Sequence, residues 1–250
     1  MFDLTGRTAL VTGAGQGVGA GIARAFAARG AAVAVNDVRP ERAAQIVEEL
    51  RARGARAVTA PFDVTAYASV RDGVAAAMAE LGPLDILVNN AGNGGQHGMT
   101  PAQFRGSDPE TWHAPIDVNL YGVMNCCHVV LDAMCDRGFG RIITIASGAG
   151  MVGLRIGVSP YAAGKGGAIG FMRHLAVENA RRGVTANTIA LGLMTGNEGS
   201  SVTSALAQQV PVGRLGRPDD IGPFCVYLAS DEAAWFTGQT VHLNGGSVTS

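Results

Sequence analysis

The sequence predicts an α/β chain built on one doubly wound parallel sheet with helices on both faces. Two observations predict it. Short apolar runs of strand length alternate along the chain with longer stretches whose apolar residues recur at helical spacing. The connections between them are short and no Pro/Ser-rich linker divides the 250 residues, so a single domain over 1–250 is expected. A hydrophobic content of 47 % is enough to build a sizeable core.

Thr8–Val11 is a short apolar run that ends in Gly-rich sequence and reads as a buried strand. Gly17–Ala28 follows, with Val18, Ile22, Ala25 and Phe26 on one helical face. Ala31–Val35 is a second strand. Pro40 opens a helix whose Ala43, Ile46, Val47 and Leu50 sit at i, i+3, i+4 and i+7, and Gly54 closes it. Ala57–Ala60, Ile86–Val88, Ile142–Ile145, Thr185–Ile189 and Val241–Leu243 are further strands. Helices are expected around Ser69–Glu80, Gly122–Met134, Tyr161–Asn179 and Pro218–Leu228. The irregular segment Gly192–Gln209, rich in Gly, Ser and Thr, follows a strand. Ligands bind at the carboxyl ends of strands in such sheets, so this segment is expected to be a substrate lid.

Composition excludes several functions. The net charge is −1 and no basic stripe occurs, so nucleic acid is not an expected partner. Arg51, Arg53 and Arg56 read as a solvated helix end. Cys126, Cys127, Cys135 and Cys225 have no metal-ligand spacing, and no metal is expected. They read as small buried apolar residues in a reducing compartment. No leader pattern and no uninterrupted apolar stretch of membrane length is visible, so a cytoplasmic protein without a membrane partner is expected. Trp112 and Trp235 read as packing residues.

Thr12-Gly13-Ala14-Gly15-Gln16-Gly17-Val18-Gly19 lies between the first strand and the first helix. Glycines there permit a tight turn, close approach of backbone to a pyrophosphate and close helix packing. The free N–H groups and positive dipole end of the helix face the phosphates. Asp37 ends the second strand, 18 residues after Gly19, where a carboxylate can accept hydrogen bonds from both adenosine ribose hydroxyls and repel a 2′-phosphate. Gln16 stands in the turn where a cation could have stood. NAD is expected over NADP, with Arg39 as the counter-argument.

Tyr161-Ala162-Ala163-Gly164-Lys165 places Tyr and Lys at i and i+4, on one helical face. A free phenol, with a pKa of about 10, is a poor base at neutral pH. A neighbouring ammonium favours the phenolate. So tuned, the Tyr can give a proton to a carbonyl oxygen or take one from an alcohol.

In order along the chain stand Thr12-Gly13-x-x-x-Gly17-x-Gly19, Asn89-Asn90-Ala91-Gly92, Val118-Asn119-Leu120, Ser147 and Tyr161-x-x-x-Lys165. Asp63-Val64, Gly213-Arg214-Leu215-Gly216-Arg217-Pro218 and Thr237-Gly238-Gln239 join them. Together they resemble the short-chain dehydrogenase/reductase family, in its form of about 250 residues and with its Rossmann-type sheet, over essentially the whole chain. The resemblance implies a set of roles. Tyr161 is the general acid/base. Lys165 holds the nicotinamide-ribose hydroxyls and lowers the Tyr pKa. Ser147 bonds the substrate oxygen, and Asn119 holds a water in a proton relay to Lys165. Asp63 and Val64 meet the adenine. Asn90, Ala91 and Gly92 line the cofactor, as do Leu191, Gly192, Met194 and Thr195 further on. The resemblance also implies a homotetramer, with a homodimer as the alternative. The Gly-rich helix at Gly164, Gly166, Gly167 and Gly170 would allow close helix approach.

Some positions depart from the family. Leu191-Gly192 replaces the usual Pro-Gly and loses its stiffness. A Thr that often meets the carboxamide would fall at Gly196, with Thr195 one position early. The Ser147–Tyr161 interval is one residue long, and the extra residue is expected in Met151–Pro160. Ser159 is a weaker substrate-oxygen candidate and reads better as a helix cap. His97 reads as a solvated loop His near the substrate.

The expected activity is hydride transfer between NAD(H) and a secondary alcohol or ketone. Candidates are 3-hydroxyacyl or 3-oxoacyl thioesters, steroid-like or cyclic alcohols and sugars. Val35-Asn36-Asp37 resembles NAD-using hydroxyacyl-thioester dehydrogenases. A catalytically inactive NAD-binding regulator, and an epimerase or dehydratase on the same fold, are the alternatives.

Overall fold

The computed structural model describes residues 1–92, 101–195 and 201–249. Its strands are β1 (Thr8–Val11), β2 (Ala32–Val35), β3 (Ala57–Thr59), β4 (Ile86–Asn89), β5 (Gly140–Ser147), β6 (Val184–Leu191) and β7 (Thr240–Leu243). They form one sheet in the order β3-β2-β1-β4-β5-β6-β7. Every pairing is parallel. The helices are α1 (Gly17–Ala27), α2 (Pro40–Ala52), α3 (Tyr67–Leu81), α4 (His113–Ile116), α5 (Gly122–Arg137), α6 (Ser159–Asn179), α7 (Ser201–Ala207) and α8 (Pro218–Ala229).

Successive side chains of each strand divide between two cores. Ala9, Val11, Val33, Val35, Ile86 and Val88 pack with Ile22 and Phe26 of α1, Ile46 and Leu50 of α2 and Ile221 of α8. Leu10, Ala34 and Leu87 pack on the other face with Val70 and Val74 of α3, Cys126 and Val130 of α5 and Met172 of α6. Burial of a strand on both faces is why these segments read as continuous apolar runs without alternation.

Two strands are longer than expected. β5 and β6 pair over eight residues, from Gly140↔Val184 to Ser147↔Leu191. Arg141 hides the start of β5 in the sequence, because a central strand accepts a polar residue when it is hydrogen-bonded. The guanidinium of Arg141 donates to the carbonyl oxygens of Ser230, Gly140 and Gly183.

The helix expected at Gly122 begins earlier, at His113, and runs through a π-helical turn at Asp117–Tyr121. The continuous helical stretch Pro109–Arg137 is long enough, and apolar enough over part of its length, to cross a membrane, but Val123, Cys126, Val130 and Met134 are core residues. Segment 192–209, expected to be irregular, contains α7. Trp235 is a correction: it is fully exposed among the described residues. Trp112 does pack, its ring stacked on Phe104 at 4.8 Å.

Helices α1 and α8 meet through glycine. A Cβ on Gly21 would lie 2.4 Å from Cβ of Pro218. Gly21→Leu is expected to destabilise the fold by about 1–3 kcal/mol through overpacking, read as a lower urea midpoint. An unchanged midpoint would show that this contact yields freely.

Candidate active site

The order of the strands sets the location. The chain moves outward from β1 to β2 and β3, and in the other direction from β4 to β7, so the connections after β1 and β4 diverge and open a crevice at their carboxyl ends. A cleft of about 740 Å³ lies there.

Its floor is the Gly-rich turn. Gly13 has φ +60°, and a Cβ on it would lie 2.9 Å from Cα of Ala91. The turn after β4 is tied on by Thr12, whose Oγ1 accepts from the backbone N–H groups of Asn90 and Ala91. Asn90 returns the tie, its Nδ2 donating to the carbonyls of Thr12 and Gly13. Gln16, at the N-terminal boundary of α1, makes no side-chain cap hydrogen bond among the described residues, and the first turn of α1 holds no acidic residue. This end of α1 therefore keeps backbone donors and its positive dipole end for an anion in the cleft. That donor set fits a dinucleotide pyrophosphate.

Asp37 lines the same cleft. Its Oδ1 accepts from the Arg39 backbone N–H at 3.0 Å. A Cβ on Gly15 would lie 2.6 Å from Oδ2, so the second glycine of the turn leaves room for the carboxylate. Asp63 and Val64 form another part of the wall. Asp63 Oδ1 accepts from both the N–H and the hydroxyl of Thr65, and the Val64 carbonyl accepts from Asn125 on α5.

The other end of the cleft is made where α6 crosses the π-helical turn. Pi turns are rare and often mark functional positions. Here the turn lets Nδ2 of Asn119 donate to the Pro115 carbonyl at 2.7 Å. Gly164, between Tyr161 and Lys165, lets α6 approach: its Cβ would lie 3.0 Å from the Pro115 carbonyl oxygen and 3.1 Å from Cβ of Asn119. Gly92 then sits against both partners, its Cβ position 2.9 Å from Asn119 Oδ1 and 3.1 Å from Lys165 Nζ. Gly166 and Gly167 pack against Gly150 and Leu120, so three of the four glycines of α6 serve contacts within the chain; Gly170 faces open space.

Lys165 is buried, and its Nζ donates to the Ile145 carbonyl at 2.7 Å. Burial pulls its pKa down from about 10.5 to about 8. Tyr161 shifts the other way from the expected lowering. Burial raises its pKa, and a hydrogen bond with Ser147 opposes the rise. The ammonium stands 5.9 Å from the Tyr161 ring centre. A phenol held protonated is the form that donates a proton to a carbonyl. Ser147 also accepts from the Ala149 N–H at 3.2 Å.

The cleft wall therefore brings together Gly13, Gln16, Gly17, Val18, Asp37, Asp63, Val64, Asn90, Ala91, Gly92, Ser147, Tyr161 and Lys165, with Leu191, Gly192, Met194 and Thr195. Two expected residues stand off the wall. Gly19 is a packing residue, its Cβ position 2.4 Å from Asn90 Nδ2, and Asn119 is fully buried behind the wall. Leu191 stays in register with Ser147 on one side and Leu243 on the other, so the sheet ladder supplies the stiffness that proline would. Thr195 is fixed by its N–H on the Gly216 carbonyl at 2.8 Å. Ser159 is the first residue of α6 and not its cap, since the boundary residue is Val158. His97 and Gly196 lie outside the described residues.

Sequence reasoning missed Asn36, Phe62, Ala114, Asp117 and Leu193, which also line the cleft. Asn36 and Phe62 flank residues already singled out, and that adjacency was the available signal. Burial makes the Cys126, Cys127 and Cys225 thiols hard to ionise, that of Cys127 pushed up to about 12, so they are packing groups.

A family model for short chain dehydrogenases matches residues 7–206. The chain is 40 % identical over 249 residues to an acetoacetyl-CoA reductase of Shinella zoogloeoides, covering 96 % of this chain and 98 % of the relative. It is 41 % identical to the 3-oxoacyl-(acyl-carrier-protein) reductase FabG of Escherichia coli, covering 98 % of each. A gluconate 5-dehydrogenase of Burkholderia cenocepacia, solved with NADP and tartrate, superposes with a TM-score of 0.90 at 36 % identity, covering 98 % of this chain and 96 % of that one. The chain belongs to the short-chain dehydrogenase family and is an oxidoreductase acting on CH–OH or keto groups.

Between pH 8 and 10.5 the unfolded chain holds a proton that folded Lys165 has shed, so this group makes the cofactor-free protein more stable as pH rises through that window. The unfolding free energy of wild type minus that of Lys165→Met should therefore climb from pH 7.5 to 10 in urea titrations. A flat difference would show that the buried ammonium carries no penalty.

Proposed function

We propose that the chain transfers a hydride between NAD(H) and the 3-position of a 3-oxoacyl or 3-hydroxyacyl thioester. The observation that carries the reaction is the convergence of Ser147, Tyr161 and Lys165 on one end of a cleft whose other end holds Asp37. A nicotinamide dinucleotide, when bound, supplies or accepts the hydride. In reduction, Ser147 and Tyr161 hold the substrate oxygen by hydrogen bonds. As the carbonyl carbon accepts the hydride, the oxygen takes the Tyr161 proton. Lys165 favours the phenolate that results, and Asn119, against Gly92, helps pass a proton inward through water. Gly13, Gln16, Gly17 and Val18 hold the pyrophosphate. Asp63 and Val64 hold the adenine, and Asn90 to Gly92 with Leu191 to Thr195 hold the nicotinamide half. The segment from Gly192 to Gln209 serves as the substrate lid within a single domain, its first leg paired to Gly216.

The acyl-thioester substrate is supported by the two reductases above, alike over nearly their full lengths. The gluconate 5-dehydrogenase favours a sugar acid as the second reading. NAD is favoured by the Asp37 carboxylate, although that neighbour was solved with NADP and half-buried Arg42 lies beside Gly15. A homotetramer is supported by side chains left bare on long helices, such as Tyr121 and Val177. A cytoplasmic setting is supported by the unpaired thiols.

Tyr161→Phe should keep dinucleotide affinity and lose at least a thousandfold in kcat with acetoacetyl-CoA, against the usual 10²–10⁴ for a lost acid–base group. Near-normal turnover would remove Tyr161 from the mechanism. Asp37→Ser should raise the KM for NADH about tenfold or more and lower that for NADPH; unchanged constants for both would overturn the cofactor assignment.

A further inference from the structure

Asn36 stands between Val35 and Asp37 and is 1 % exposed. Its side-chain amide bonds at both ends and uses both of its donors. Oδ1 accepts from the backbone N–H of Gly13 at 3.1 Å, and Nδ2 donates to the carbonyls of Ala60 at 2.9 Å and Phe62 at 3.0 Å. Its backbone is tied as well, with its N–H on the Val11 carbonyl and its own carbonyl accepting from Ala14 at 2.6 Å. One residue therefore joins three segments. These are the phosphate turn at Gly13, the strand end that carries Asp37, and the strand exit at Ala60–Phe62 that leads into Asp63 and Val64. Asn90 holds Gly13 from the other side through the Gly13 carbonyl. No other residue type of this size both accepts one hydrogen bond and donates two from a planar group.

We infer that Asn36 is a positioning residue for the adenosine half of the dinucleotide, setting the distance between the phosphate turn, the ribose carboxylate and the adenine wall. The inference rests on reading the cleft as the dinucleotide site. Asn36 acts through Gly13, Asp37 and Asp63. Losing its two donors leaves buried carbonyls at Ala60 and Phe62 unpaired and lets the three segments drift apart. The nicotinamide end, built on α6 and β5, does not depend on it.

The test is 5′-AMP binding to the full chain by calorimetry, with thermal unfolding to establish that each variant is folded. Asn36→Ser should weaken 5′-AMP at least tenfold. Asn36→Asp should weaken it similarly at pH 7.5, because a carboxylate cannot donate. Burial against the Ala60 and Phe62 carbonyl oxygens raises the pKa of a carboxyl placed there, so the ratio of wild-type to Asp-variant affinity should shrink towards pH 5.5 as protonation restores one donor. Asn36→Asp, isosteric with the native side chain, carries the test if the serine variant does not fold. Affinity within twofold of wild type in either folded variant, or an Asp-variant ratio that ignores pH, overturns the inference. If the wild type binds no 5′-AMP, the dinucleotide reading of the cleft falls with it; if the wild type binds and the variants match it, only the role of Asn36 falls.

Discussion

Helix α6 lies close on Pro115 and on the π-helical turn at Asp117–Tyr121, with a glycine at the point of approach. Gly164 is that residue, and its position inside the Tyr161–Lys165 turn ties helix packing directly to chemistry. A Cβ there would press on the Pro115 carbonyl and on Asn119, on the same helix that carries Lys165 to the Ile145 carbonyl and Tyr161 to Ser147. Gly92 meets the same pair from the sheet side, so two bare Cα positions enclose Lys165 Nζ and Asn119 Oδ1.

The two ends of the cleft are built by different physics. The end at the glycine-rich turn is made of backbone, where positive-φ glycine and a helix end without a side-chain cap present N–H groups, and side chains such as Thr12, Asn36 and Asn90 hold that backbone in place. The end at Ser147, Tyr161 and Lys165 is made of side chains whose ionisation depends on burial. A buried ammonium with its pKa near 8 and a phenol pushed upwards are both more easily neutral than in water.

Much of this was legible beforehand. The strands were, because burial on both faces leaves a continuous apolar signature, as in Ile86–Val88. The Gly-rich turn, Asp37 and the Tyr161–Lys165 spacing were legible because each has a local geometric reason. The start of β5 was not, since Arg141 is satisfied by carbonyls from distant segments. Helix α4 and the π-helical turn were hidden because Pro115 reads as a breaker, and Trp235 misled because a large apolar ring carries no sign of which surface it faces.

The sequence by itself determined the sheet-and-helix order, the family and the residues able to do acid–base chemistry, because periodicity, turn glycines and motif spacing are local properties of the chain. Only the tertiary structure decided that Asn36 joins three segments, that Gly19 packs and does not line the cleft, and that Leu191 is held by strands on either side. It also set the direction in which the Tyr161 and Lys165 pKa values move. Those outcomes depend on burial and on partners dozens of residues away, such as Ala60 for Asn36 and Leu243 for Leu191, which no local pattern encodes.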